Sequence, residues 1–344
     1  MMKSSTMTSH TRGNMPQAGF SLVELMIAML ISLFLLGGVI QVFSGSKQTY
    51  RLNEGMARLQ ENVRYAFDRI SADLAAAGYM GCNDSRDLDL EGNMVITVAL
   101  TDGVSTNFNF SNPIDGIENA GPNNSDILSI RRAMTASSVP VAPGGMTSNF
   151  SDVQLDAAHP NYANLQQWDI IALSDCAATS IFMITNDPQT SLGVIEHAMN
   201  VVAPAGSVNA GQSNAVTTIN GVDHNDLKAT FGADEASAAT MTRVATRTYS
   251  IRPSVFGNNN SLYLNNDELV EGVDELQVLY GLDNDGIPGV EQYVPADNAD
   301  LIAAGMNRVA AVRISLTLNT VSGIQVDGQP LEKVVTQTFR LRNR

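Results

Sequence analysis

Few residues in this 344-residue chain have the type and spacing to do chemistry, and the first is a carboxylate in apolar surroundings. The segment GFSLVELMIAMLISLFLLGGVIQVF, from Gly19 to Phe43, holds one acid, Glu24, and no Lys, Arg or His. An ionised side chain inside hydrocarbon costs about 2.5–3.5 kcal/mol or more, so such residues persist where a partner or a function offsets the cost. A second group, Asp283-Asn284-Asp285-Gly286 with Glu291 downstream, places oxygen ligands at alternate positions, as a hard cation such as Ca²⁺ requires. Its glycine comes fourth and no ligand stands twelfth, so it departs from an EF-hand loop, and an acidic hairpin turn accounts for the same residues. Cys82 and Cys176 have no His or further Cys at zinc-ligand spacing, since His159, His197 and His224 are scattered. GxSxG, HExxH and GxxxxGK[ST] motifs are absent, and the sequence predicts a protein that is not an enzyme.

The elements that must position these residues follow from periodicity. From Phe20 to Ile40 only Ser21, Glu24 and Ser32 interrupt the apolar run, and Gly37 and Gly38 lie near its end. As a helix this run is about 31 Å long, which matches a hydrocarbon core of about 30 Å. A secretory signal would have a shorter apolar core, and a plain anchor would leave Glu24 unexplained. Beyond it Leu52, Met56, Leu59, Val63, Ala66, Ile70 and Leu74 form one stripe at helical spacing, with Arg51, Glu54, Arg58, Glu61, Arg64 and Asp68 on the other face. The helix is expected from Phe20 to Ala77, with Gly78 as its C-terminal cap and Gly37, Gly38, Gly45 and Gly55 favouring local bends.

After Gly81 the period falls to two. Val312, Ile314, Leu316 and Leu318 alternate with polar residues, as in a half-buried strand. Further strands are expected at Met94–Leu100, Asp126–Arg131, Trp168–Leu173, Ile181–Thr185, Arg243–Ile251, Ser261–Leu264, Leu276–Tyr280 and Val334–Leu341. Asn265-Asn266-Asp267 and Asn284-Asp285-Gly286 read as turns. Stretches 101–125 and 186–240, rich in small and polar residues, read as long loops. The expected fold class is therefore α+β, a long N-terminal helix packed on an antiparallel β-rich head. The hydrophobic content of 44 % is enough for a core, and a net charge of −15 excludes nucleic acid as a partner.

Gly19-Phe20-Ser21-Leu22-Val23-Glu24-Leu25, set before an apolar span, resembles the processing signal of type IV prepilins. The resemblance implies a peptidase that cuts after Gly19 and methylates the new amino terminus of Phe20, with Glu24 acting in assembly. It implies a leader at 1–19, a membrane and filament-core helix at 20–42, an amphipathic helix at 43–78 and a β-rich periplasmic head at 79–344. Without Lys3 and Arg12 of the leader, 18 basic and 35 acidic residues remain, a formal −17. Basic residues flank both sides of the span, so orientation rests on the resemblance and the cysteines. Tyr249-Ser250-Ile251-Arg252, Ser261-Leu262-Tyr263, the run from Leu269 to Gly281 and the terminal Leu341-Arg342-Asn343-Arg344 resemble the PilW-type minor pilins.

That resemblance implies a low-abundance subunit that primes pilus assembly at or near the tip. Its partners are a prepilin peptidase, other minor pilins, the major pilin and inner-membrane lipid, and its final location is the extracellular pilus. A minor pseudopilin of a type II secretion system shares the leader, span and sheet, and a tip adhesin is a further alternative. In an oxidising periplasm a disulfide between Cys82 and Cys176 accounts for both cysteines, with two separate buried thiols as the alternative. No cofactor is expected beyond the possible calcium at Asp283, Asp285 and Glu291.

Overall fold

The computed structural model describes residues 19–81, 96–101, 109–110, 112–146, 152–175, 178–215, 218–219, 222–223, 239–257, 259–283, 289–320, 325–326 and 329–342. Helix α1 runs through Leu22–Ala75, one residue pair inside each expected end. Its hydrogen bonding is unbroken across Gly37, Gly38, Gly45 and Gly55. Three further residues of turn follow, and Gly78 at φ 76° ends the helix in the left-handed conformation that glycine adopts at no steric cost. The chain divides into two compact units, Met1–Glu54 and Gly55–Arg344, so the structural boundary falls inside the helix, twelve residues beyond the expected end of the span.

Among the described residues of the first unit, every position but the half-buried Leu52 is exposed. In the second unit the helix turns a buried face, made of Leu59, Ala66, Phe67, Ile70 and Leu74, toward a core shared with two sheets. The expected stripe is correct in phase, but Leu52, Met56 and Val63 are only half-buried. Phe67, absent from that stripe, stacks obliquely on Phe339 with ring centroids 6.1 Å apart.

The larger sheet has nine strands. Its labelled members are β1 (Ile96–Val98), β2 (Ile114–Ile117), β3 (Ile127–Ala133), β4 (Ile170–Ser174), β5 (Thr179–Met183), β6 (Thr240–Pro253), β7 (Asn260–Leu264) and β8 (Asp267–Glu271). Strand β6 is its axis. Its first residues pair with β4, its middle with β3 and its end with β7, all antiparallel. The pair β1 and β5 is parallel, an exception to the expected antiparallel arrangement. Asn265 and Asn266 make a two-residue hairpin between β7 and β8, with Asn265 at φ 55°, the positive φ that Asn tolerates.

The smaller sheet is antiparallel and ordered β10–β9–β11–β12. It contains β9 (Val273–Leu282), β10 (Gln292–Val294), β11 (Val309–Asn319) and β12 (Glu332–Arg340). Val312, Ile314, Leu316 and Leu318 of β11 are buried, as their alternation requires. Stretch 101–125, read from sequence as loop, contains β2. Ile114 of β2 is buried, but four residues are too short a run to show a period. Stretch 186–240 contains only two-residue strands among its described residues before β6 begins at Thr240.

Candidate functional site

The N-terminal site is a sequence of groups along one exposed helix start. Gly19 has no atom within 4 Å of where a Cβ would stand, and Phe20 is 85 % exposed. The first helical hydrogen bond runs from the Leu25 N–H to the Ser21 carbonyl at 3.1 Å. Glu24 therefore lies in the first turn, where unpaired N–H groups and the helix dipole favour an anion. Its carboxylate is four residues from Phe20, within one helical turn of any amine exposed there. From Leu22 to Phe43 the large apolar side chains stay exposed, Phe34 at 82 %. The helix is long and apolar enough to cross a membrane.

The remaining expected residues are distributed elsewhere. Cys82, Cys176 and Asp285 lie outside the described residues. Asp283 is buried at the end of β9, where its N–H donates to the Arg308 carbonyl at 3.1 Å, and the Glu291 N–H donates to the Leu282 carbonyl at 3.0 Å. Among the described residues no group of three or more His, Cys, Asp and Glu is placed to hold a metal ion.

The structure also places charges that sequence reading missed. Asp73, 1 % exposed, sits on the buried face of α1. The Tyr249 hydroxyl donates to its Oδ2 at 2.6 Å and Arg247 Nε donates to the same oxygen at 3.2 Å. Arg132 Nε stands 3.0 Å from Oδ1 in an ion pair whose angle falls short of a hydrogen bond. Burial, then the Asp73 carboxylate, push the Tyr249 phenol far above its usual range. Arg131, fully buried, donates to the Asn112 carbonyl at 3.0 Å and to Asp115 at 3.4 Å, and burial lowers its pKa. The one sequence signal for Asp73 was its spacing, three residues after Ile70 on the apolar stripe. These contacts fasten the helix end to β3 and β6, and their chemistry is structural.

Residues 14–40 match the prokaryotic N-terminal methylation motif, and residues 244–343 match the family described as type IV pilus-assembly protein W. These two matches support a PilW-like type IV pilin. No curated protein and no solved structure matches it. The two matched segments contain the exposed helix start with Gly19, Phe20 and Glu24, and the strands from most of β6 through β12. As a type IV pilus-related pilin it carries the processing motif of prepilins, which implies a prepilin peptidase and pilus components as partners. Its single N-terminal apolar helix fits a membrane anchor.

Proposed function

We propose that this pilin is a minor subunit that primes pilus assembly at or near the tip, held in the inner membrane with its head in the periplasm until it enters the filament. It acts without catalysis and without a cofactor other than the candidate calcium ion at Asp283, Asp285 and Glu291. The observation that carries this reading is Glu24, a lone acid in the first turn of an exposed apolar helix, one turn from the Phe20 amine that cleavage after Gly19 would free. That amine is substantially cationic at neutral pH and would pair with Glu24 of its own chain or of a neighbour. In surroundings of low dielectric an unmatched carboxylate penalises a wrong axial register, so the pair selects one position between subunits.

Two substitutions test this. Gly19→Val adds a β-branched side chain at the cut and should leave a precursor heavier by the leader, whereas normal processing to a chain beginning at Phe20 would overturn the leader assignment. Glu24→Leu should be cleaved and inserted normally but recovered poorly with the other minor pilins, and surface piliation should fall. Loss of protein secretion with piliation intact would move the chain to a secretion system.

A disulfide between Cys82 and Cys176 belongs to the same reading. A Cβ on Gly81 would stand 3.2 Å from Cβ of Ser174, so the chain one residue before Cys82 touches the chain two residues before Cys176. Non-reduced peptide mapping should recover the linked pair. Calcium at Asp283, Asp285 and Glu291 remains a proposal, which calorimetric titration of the full chain checks against Asp283→Ala.

A further inference from the structure

The sheet edges of the head are not alike. Strands β1 and β10, at two of the ends, have three residues each. Strand β8, at a third, has a register shift opposite Leu262 and Tyr263 and carries Asp267, Glu268 and Glu271. Short length, bulges and charge are the devices by which proteins keep open edges from pairing. Strand β12 (Glu332–Arg340) uses none of them along its middle. It runs nine residues in unbroken register with β11, contains no proline, and places its charges at Glu332, Lys333 and Arg340. No described element pairs with its other side.

The ladder shows which groups face that side. The Leu341 N–H donates to the Ala310 carbonyl at 3.0 Å and the Thr320 N–H to the Leu331 carbonyl at 3.1 Å. Bonded pairs in an antiparallel ladder recur at every second residue, so Lys333, Val335, Gln337 and Phe339 exchange bonds with β11. Val334, Thr336, Thr338 and Arg340 then turn their N–H and C=O groups outward. Their side chains share the exposed sheet face, with Val334 59 % exposed and the Thr336 hydroxyl 2.8 Å from that of Ser315.

We propose that the outer edge of β12 is a docking site for an extended strand of another pilin subunit, added to the smaller sheet by backbone hydrogen bonds. This rests on the pilin reading above. Charge sets the chemistry of the partner, since Glu332 and Arg340 stand at opposite ends of one row with β-branched residues between them. The incoming strand carries a basic residue opposite Glu332, an acidic one opposite Arg340 and β-branched or hydroxyl residues between. Two copies of β12 paired about Thr336 would match the same charges. That two-fold axis, normal to the sheet, would reverse the Leu59–Leu74 segment packed along the sheet face, so in such a homodimer these two segments would run in opposite directions.

The test uses the processed full-length chain in detergent, co-expressed pairwise with each other pilin of the cell that makes it, and reads amide hydrogen exchange along β12. In a complex the Val334, Thr336, Thr338 and Arg340 amides should slow by about tenfold or more, the equivalent of one net hydrogen bond. Thr336→Pro removes an outward N–H without breaking a backbone bond to β11 and should abolish the complex, while Thr336→Val, which loses the same hydroxyl contact to Ser315, keeps the N–H and should retain it. A complex in which these four amides exchange as fast as in the free chain would overturn the proposal alone. So would a complex that survives Thr336→Pro, or protection that arises from a homodimer. Failure of the unaltered chain to enter any pilin complex would overturn the pilin reading with it.

Discussion

Two stretches of one helix obey opposite rules. Between Leu22 and Phe43, α1 is nearly all apolar, yet its large side chains are exposed. Between Gly55 and Ala75 it is rich in charge, yet Leu59, Phe67, Ile70 and Leu74 are buried, and so is the carboxylate Asp73. Hydrophobicity thus sets what a segment needs, and the surroundings decide whether the chain itself supplies it. The first stretch has apolar residues on every side and suits lipid or the helices of other pilins. The second has one apolar face, sized to its own sheets.

The largest break in this comparison is expected at Asp73. Asp73→Ala leaves Arg132 and Arg247 without their anion and Tyr249 without its acceptor, and should cost about 3–5 kcal/mol, toward the lower end because both arginines reach solvent. Urea unfolding of the full-length chain, followed by the fluorescence of Trp168, its only tryptophan, measures it. A cost under about 1 kcal/mol, the ordinary range of a surface change, would show that the charge cluster does not fasten the helix.

A matched pair sharpens the contrast along the helix. Ile70→Ala opens a cavity at a fully buried position and should cost about 2–5 kcal/mol in the same assay. Leu36→Ala deletes as many methyl and methylene groups from an exposed position and should change head unfolding by about 0.5 kcal/mol or less. Equal effects would mean that the first stretch also packs on its own head.

The smallest effect concerns pH in the second unit. Glu118 is held above its ordinary value of 4.5, foremost by burial and further by Asp126 and Asp297, against the Ala296 N–H that stabilises its anion. A carboxyl whose folded pKa is raised contributes stability below its unfolded pKa and loses it as pH rises through the folded value. Glu118→Gln, which can still accept from Ala296, should therefore raise the melting temperature at neutral pH, with the gain shrinking to nothing as pH falls below about 4.5. A gain independent of pH would assign the effect to packing.

Much of the molecule was legible in periodicity. The span, the amphipathic half of α1 and strand β11 each repeat one pattern long enough to be read, and all three are where that pattern puts them. Strand β4 was placed within two residues, though its pattern shows no alternation. Ile171 and Leu173 enter one core and Ile170 and Ala172 another, so all its side chains are buried and the period disappears. β2, with four residues inside a polar stretch, carried no signal.

At the candidate site, sequence alone supplied Gly19, Phe20 and Glu24, because a processing motif is a local string and needs no fold to be recognised. It also fixed the need of the first helical stretch for apolar company and the charge on the rest of the chain. Tertiary structure decided the remainder. It put Asp73 against Arg132, Arg247 and Tyr249, residues 59 to 176 positions away, and it left β12 at the end of its sheet with no described strand on its other side. A buried ion pair and an open edge depend on what lies across from a residue, and neighbours in space are set by the packing of distant segments, which no local pattern encodes.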